Sequence, residues 1–177
     1  MLRFVQRFFG ALALDPATYE EVEADRHALL QSAAVVGMTC LAAGFAARGL
    51  GDVSAGAFIL AAVVMLCGWL VWVTTVSFVG TQFVAEPETR SNVTELLRVM
   101  GFAAAPGVFL VLAAMPPAAP TVLIVVACWM AAASVLAVRQ ALDYHTIARA
   151  LVAAVAGWIL AVVVIAVIAL AMTRTAS

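Results

Sequence analysis

Four stretches of this chain hold neither a charged residue nor a histidine: 28–47, 53–85, 99–138 and 150–173. A water-soluble fold cannot use such stretches, because its core must be covered by polar side chains. Ordinary soluble domains are roughly 45–50% apolar and about 25% charged. This chain of 177 residues is 66% apolar and 11% charged. A soluble domain is thereby excluded, and the stretches read as membrane spans.

A helix of about 20 apolar residues crosses the roughly 30 Å hydrocarbon layer. Residues 28–47 make one crossing. Residues 53–83 are longer than one crossing needs, so that helix is expected to tilt or to protrude at the end where Thr74, Thr75, Ser77, Thr81 and Gln82 gather. Gly68 and Gly80 are its candidate bending points. The third stretch is divided by Met115-Pro116-Pro117-Ala118-Ala119-Pro120. Proline lacks an amide donor and restricts the residue before it, so this is a hairpin turn between spans of 96–115 and 121–139. A fifth span follows over 150–172. The fold class is therefore all-α, a polytopic transmembrane bundle of five helices.

Before the bundle, residues 1–27 form a cytoplasmic or interfacial segment, with 28–177 as the five-span domain. Leu2, Val5, Phe8 or Phe9, and Leu12 recur at helical spacing with Arg3 and Gln6 on other faces. That pattern predicts a short amphipathic helix in the interface plane, the alternative being an unfolded terminus. Arg3, Arg7 and Ala11-Leu12-Ala13 resemble a signal peptide, but Gln6 and Arg7 break the apolar run and cleavage is not expected. Asp15-Pro16 reads as a helix start with aspartate as N-cap. The acid-rich helix after it is expected to run on into the first span.

Five spans place the two ends on opposite sides. One side collects Arg3, Arg7, Arg26, Arg90, Arg98, Arg139 and Arg149, and the other holds only Arg48 and Arg174. The positive-inside rule makes the first side cytoplasmic, with the C-terminus outside. The absence of lysine and the abundance of alanine fit a GC-rich bacterial genome, so the inner membrane of a bacterium is expected. Sixteen of the nineteen charged residues fall on that side, Arg48, Asp52 and Arg174 being the exceptions.

Little chemistry is visible at membrane depth. Ionisable residues within spans mark proton relays and ion-coupled carriers, and here they are almost absent. No nucleotide-binding, zinc-protease or serine-hydrolase pattern occurs. His27 and His145 lie at helix ends, and Asp143 beside His145 makes two ligands, which is too few for a metal site. Cys40, Cys67 and Cys128 are separate small hydrophobes in apolar stretches. A net charge of -1 offers no basic patch for nucleic acid. The expectation is a protein with no catalytic residue, no metal and no cofactor.

Small residues at four-residue spacing, such as Ala33 with Gly37, Gly101 with Ala105, Ala103 with Gly107 and Ala153 with Gly157, predict close helix packing. Pro106-Gly107 lies midway along the third span and should kink it, freeing a carbonyl near Phe102. The densest polar constellation is Glu86, Glu88, Arg90, Asn92, Glu95 and Arg98, facing Arg139, Gln140, Asp143, His145 and Arg149. Together with Pro106 and Gly107 these are the candidate interaction or structural residues. Mixed signs at this density can form salt bridges that tie the two cytoplasmic loops together; the plain reading is a solvated, positively biased loop face, and the alternative a docking surface for a protein or for lipid headgroups. Asn92 with Glu95 fits a helix N-cap pair rather than a glycosylation acceptor.

The run Glu95-Leu96-Leu97-Arg98-Val99-Met100-Gly101-Phe102-Ala103-Ala104-Ala105-Pro106-Gly107 resembles the third-span motif of bacterial members of the Yip1 family. Pro116-Pro117, Val138-Arg139-Gln140-Ala141-Leu142-Asp143-Tyr144, Thr146, Arg149-Ala150-Leu151 and Gly157-Trp158 are similar to its later part, and Leu14-Asp15-Pro16-Ala17-Thr18-Tyr19 to its N-terminal segment. The resemblance implies an integral membrane protein with five spans, a cytoplasmic N-terminus and a non-cytoplasmic C-terminus. Eukaryotic relatives associate with Rab-type GTPases and with each other in vesicle trafficking; binding to a Rab-type GTPase is not expected here. The reading is a non-enzymatic accessory or scaffold protein that binds another membrane protein, or itself, through its cytoplasmic loops or helix faces. Membrane lipids surround it, and a translocation pathway for lipid or a small neutral solute is the alternative.

Overall fold

The computed structural model describes residues 2–51, 54–85 and 93–175. Seven α-helices are seen among them: α1 (Leu2–Leu12), α2 (Pro16–Ala24), α3 (Ala28–Gly49), α4 (Ala55–Gln82), α5 (Val93–Ala103), α6 (Ala119–Ala141) and α7 (Ile147–Thr175). A 3₁₀ helix over Ala105–Ala114 continues α5. Five elements are long and apolar enough to cross a membrane: α3, α4, α5 with its 3₁₀ continuation, α6, and α7 over Ile147–Val167. The protein is a multi-pass membrane protein.

The third span is the centre of the bundle, being 72% buried over its most apolar window against 11% for α4. Leu96, Val99, Met100 and Phe102 are fully enclosed there. The outer helices carry the hydrophobic surface instead, with Ile59 and Val63 on α4 and Ile159 and Val162 on α7 exposed. An apolar exterior of this kind suits lipid, which solvates such side chains without penalty.

Glycines set the closest approaches. A Cβ on Gly101 would stand 2.5 Å from Ser32 Cβ, and one on Gly157 2.7 Å from the Trp72 ring. One on Gly107 would collide with Thr39. Gly101, Gly107 and Gly157 thus act as the small-residue spacing predicts. Gly37 does not, since nothing lies within 4 Å of its Cβ position and Ala33 beside it is exposed.

The break at Pro106 takes a different form from a simple kink. Pro106 cannot donate to Phe102, and the chain changes from α to 3₁₀ at Ala104, where Gly107 N–H donates to the Ala104 carbonyl at 2.8 Å. Ten residues of 3₁₀ helix are uncommon, because the hydrogen-bond geometry is poorer than in an α-helix. Packing sustains it: Ala105, Pro106, Gly107, Leu110 and Ala113 are all buried. Thr39 of α3 also donates its hydroxyl to the Ala104 carbonyl at 2.9 Å.

The threonines at the polar end of α4 are satisfied within their own helix. Thr74, Thr75 and Thr81 each donate their hydroxyl to a carbonyl three or four residues back in their own helix. The acid-rich helix also stops short of the first span. α2 ends at Ala24, Asp25 is extended, and α3 starts afresh at Ala28 with His27 at its N-cap.

Candidate docking face

One end of the bundle gathers α1, α2, the starts of α3, α5 and α7, and the ends of α4 and α6. The path into it begins at a tight reversal after α1. Asp15 N–H donates to the Gly10 carbonyl at 3.0 Å and Leu14 N–H to Ala11 at 3.2 Å, with Leu14 left-handed at φ 58°. This double bond is a Schellman ending, with leucine where glycine is usual. The Asp15 side chain then caps α2 by accepting from Ala17 N–H at 3.2 Å, and Pro16 supplies the first turn. Gly10 lets Thr18 lie directly against α1.

α1 presents Leu2, Val5 and Phe9 outward and packs its other face on the bundle. The Phe4 ring lies 6.3 Å from Phe102, and Trp129 of α6 donates its indole N–H to the Leu12 carbonyl at 3.0 Å. Arg7 lies on that inward side with only 2% of its surface exposed. Its Nη2 stands 2.8 Å from both Glu21 and Asp25, and its Nη1 donates to Gln31 Oε1 at 3.0 Å. One guanidinium thereby joins α1, α2, the bend and α3. Burial works against this charge, and the hydrogen bonds that Arg7 donates to Asp25 and Glu21 outweigh it, so the Arg7 pKa is raised. The Asp25 carboxyl is held below its ordinary range by Arg7 and by the His27 N–H, which donates at 2.8 Å.

A second buried arginine lies on α5. Arg98 is 4% exposed; its Nη2 donates to the Glu23 carbonyl and faces Glu95 at 3.9 Å. Its Nε is fully enclosed with no partner among the described residues. The Arg98 carbonyl accepts from Ser32 at 2.6 Å, so α2, α3 and α5 meet at this residue. The Glu23 carboxyl beside it is pushed up to about 7 by burial and by Asp143 and Glu95, against the opposing pull of Arg98.

α6 ends in the same way as α1. Tyr144 N–H donates to the Arg139 carbonyl at 3.0 Å and Asp143 N–H to Gln140 at 3.1 Å, with Asp143 left-handed at φ 51°. Aspartate tolerates that conformation better than most side chains. The turn aims the Tyr144 hydroxyl at the Gly80 carbonyl, 2.7 Å away, and Gly80 has no Cβ to block it. Gln140 donates to Glu20 of α2 at 3.1 Å, and Arg139 Nε to the Tyr144 carbonyl at 3.3 Å. Arg149 donates to the Val84 and Ala85 carbonyls at 3.2 and 3.1 Å.

The structure therefore brings Glu95, Arg98, Arg139, Gln140, Asp143, His145 and Arg149 to one end, with Asp143 and His145 exposed there. Pro106 and Gly107 lie farther along, inside the third span. Glu86, Glu88, Arg90 and Asn92 lie outside the described residues. Among the described residues Arg149 and Tyr144 reach backbone carbonyls of the α4 end, while Glu86, Glu88 and Arg90, on which salt bridges between the two loops would depend, lie outside them. The sequence reading missed Arg7, Glu20, Glu21, Glu23, Asp25 and Gln31 as site residues. The available signal was Phe4, Phe8 and Ala11, a second apolar stripe on α1 that includes Arg7's side of the helix. Among the described residues no three His, Cys, Asp or Glu side chains stand close enough to share a metal.

Five apolar spans, four of them around the buried, proline-broken third, define an integral membrane protein of the five-span type. A family model described as Yip1 domain matches residues 9–168, and the chain belongs to the Yip1 family. Neither the curated proteins nor the solved structures contain a match.

Proposed function

We propose that this Yip1-family protein is a non-enzymatic accessory or scaffold protein of the bacterial inner membrane. Its N-terminus lies in the cytoplasm and its C-terminus in the periplasm, and a protein partner docks on the end closed by α1 and α2. The observation that carries this reading is the burial of Arg7 and Arg98 at that end, 2% and 4% exposed, with hydrogen bonds to α2 and α3 and an ion pair to Asp25 at the bend between them. Burying a guanidinium costs desolvation energy that its ion pairs and hydrogen bonds offset only when their geometry is fixed. Here the fixed arrangement holds Arg26, His27, Asp143 and His145 exposed in constant relation to one another. A mixed-sign, preorganised surface is well suited to selective recognition of a protein.

Native-condition purification from the source membrane after cross-linking tests this. The reading expects one partner, or a second copy, enriched with the intact chain and lost with an Asp143→Arg, Arg26→Glu variant. Recovery only as a lone monomer, under several mild detergents, contradicts it.

A further inference from the structure

We infer that the cavity enclosed by α3, α4, α6, α7 and the α5–3₁₀ junction holds one fatty-acyl chain of a bilayer phospholipid, taken from the leaflet opposite the α1–α2 end. The cavity measures about 510 Å³, within the roughly 300–1,000 Å³ usual for ligand pockets. It exists because small residues, among them Ala46, Ala61, Gly68 and Ala104, face one another from three spans while Trp69 and Trp72 hold the walls apart.

Its wall is almost wholly apolar, and most of its few polar groups are already spent. Trp69 spends its N–H on the Met100 carbonyl at 3.4 Å and Trp72 on Ala154 at 3.3 Å. The Ser134 hydroxyl, also in the wall, donates to Ala131 at 2.8 Å. A buried water needs two to four polar partners, and this lining offers at most the Trp158 indole N–H. An apolar occupant instead recovers the dispersion contacts that close packing requires.

The dimensions select an acyl chain. On α4 the lining runs from Ala61 to Trp72, a rise of about 16 Å, or half of the roughly 30 Å hydrocarbon layer. That is the depth of one leaflet. The lining residues nearest the α1–α2 end are Trp72, Ser134 and Trp158, which close that end. Ala127 and Val162, at mid-span on α6 and α7, are exposed, so the mouth opens sideways at a depth where lipid tails are the molecules present. A helix about 10–12 Å across would need a groove open along the whole span. The site is one of lipid binding and is independent of the docking face.

The test reconstitutes the full chain into phosphatidylethanolamine–phosphatidylglycerol vesicles containing a phosphatidylethanolamine with a mid-chain diazirine. After irradiation, adducts are mapped to single residues by mass spectrometry. The proposal expects Met65, Trp69 and Met130 to be labelled at least fivefold more than Leu66 and Leu70, which face lipid outside the cavity. Ala46→Phe should fill the cavity and abolish that excess while labelling of Leu70 stays unchanged. Ala127→Trp, placed at the exposed mouth, should do the same without disturbing the core. Even labelling across all spans overturns the proposal, as does an excess that survives whichever of the two variants folds. A cross-link from the lining to a polypeptide also overturns it.

Discussion

Arg7 Nη2 and the Asp25 carboxylate lie 2.8 Å apart, so the first helix is fastened to the bend from which the first span starts. The same guanidinium holds Glu21 and Gln31. Arg7→Ala should therefore release α1 and α2 from the bundle while the five spans persist. Hydrogen exchange of α2 should accelerate by roughly tenfold or more, since removal of one partner leaves the others unpaired. Unchanged protection would show that the ion cluster contributes nothing. The Asp25 pKa is depressed, so its share of this tie is present above the ordinary carboxylate range and is lost as pH falls through the folded-state value.

Glu23 gives the opposite dependence. Its carboxyl is raised from 4.5 to about 7, so its favourable share is complete below the unfolded value and is lost as pH rises through 7. The thermal midpoint should fall between pH 5 and pH 8, and Glu23→Gln should flatten that fall. Partial burial makes the effect modest, about 2–4 °C, as roughly 1 kcal/mol produces in a chain of this size. An identical pH profile for the variant would remove Glu23 from the account.

Two glycine substitutions should separate sharply. Gly101→Ala puts a Cβ 2.5 Å from Ser32 Cβ and 3.1 Å from its Cα, which belongs to backbone and cannot swing away. A loss of about 1–3 kcal/mol is expected from such overpacking. Gly37→Ala meets nothing within 4 Å and should be neutral or stabilising, by up to about 1 kcal/mol from helix propensity. Denaturation in mild detergent reads both, and equal effects would contradict the α3–α5 packing.

Thr39→Val keeps the shape at the 3₁₀ junction and deletes the hydroxyl that donates to Ala104. The carbonyl retains its bond from Gly107, so the loss should be about 1 kcal/mol, the net value of one hydrogen bond. A loss several times larger would mean that Thr39 holds the 3₁₀ helix itself.

The spans were legible because charge is excluded from hydrocarbon: the charge-free stretches contain α4 whole and all but the ends of α3, α6 and α7, and Pro116-Pro117 marks the hairpin directly. Asp15-Pro16 also announced its helix, since an N-cap is a local feature. The 3₁₀ course after Ala104 was not legible, because packing against Thr39 and its neighbours sustains it, and that information is non-local. Arg7 was hidden for the same reason. A lone arginine between apolar stripes reads as solvent-facing until Glu21, Asp25 and Gln31 are folded around it.

The central claim is that the end closed by α1 and α2 is a docking face, and site-specific photo-crosslinking in the intact membrane tests it most directly. A photoreactive residue is placed in turn at Glu20, His27 and Asp143 on that face, and at Ile59 on the lipid-facing side of α4. The account predicts one discrete adduct shared by the three face positions, absent from Ile59 and weakened by Arg7→Ala. No adduct at the face, or the same adducts from all four positions, would contradict it.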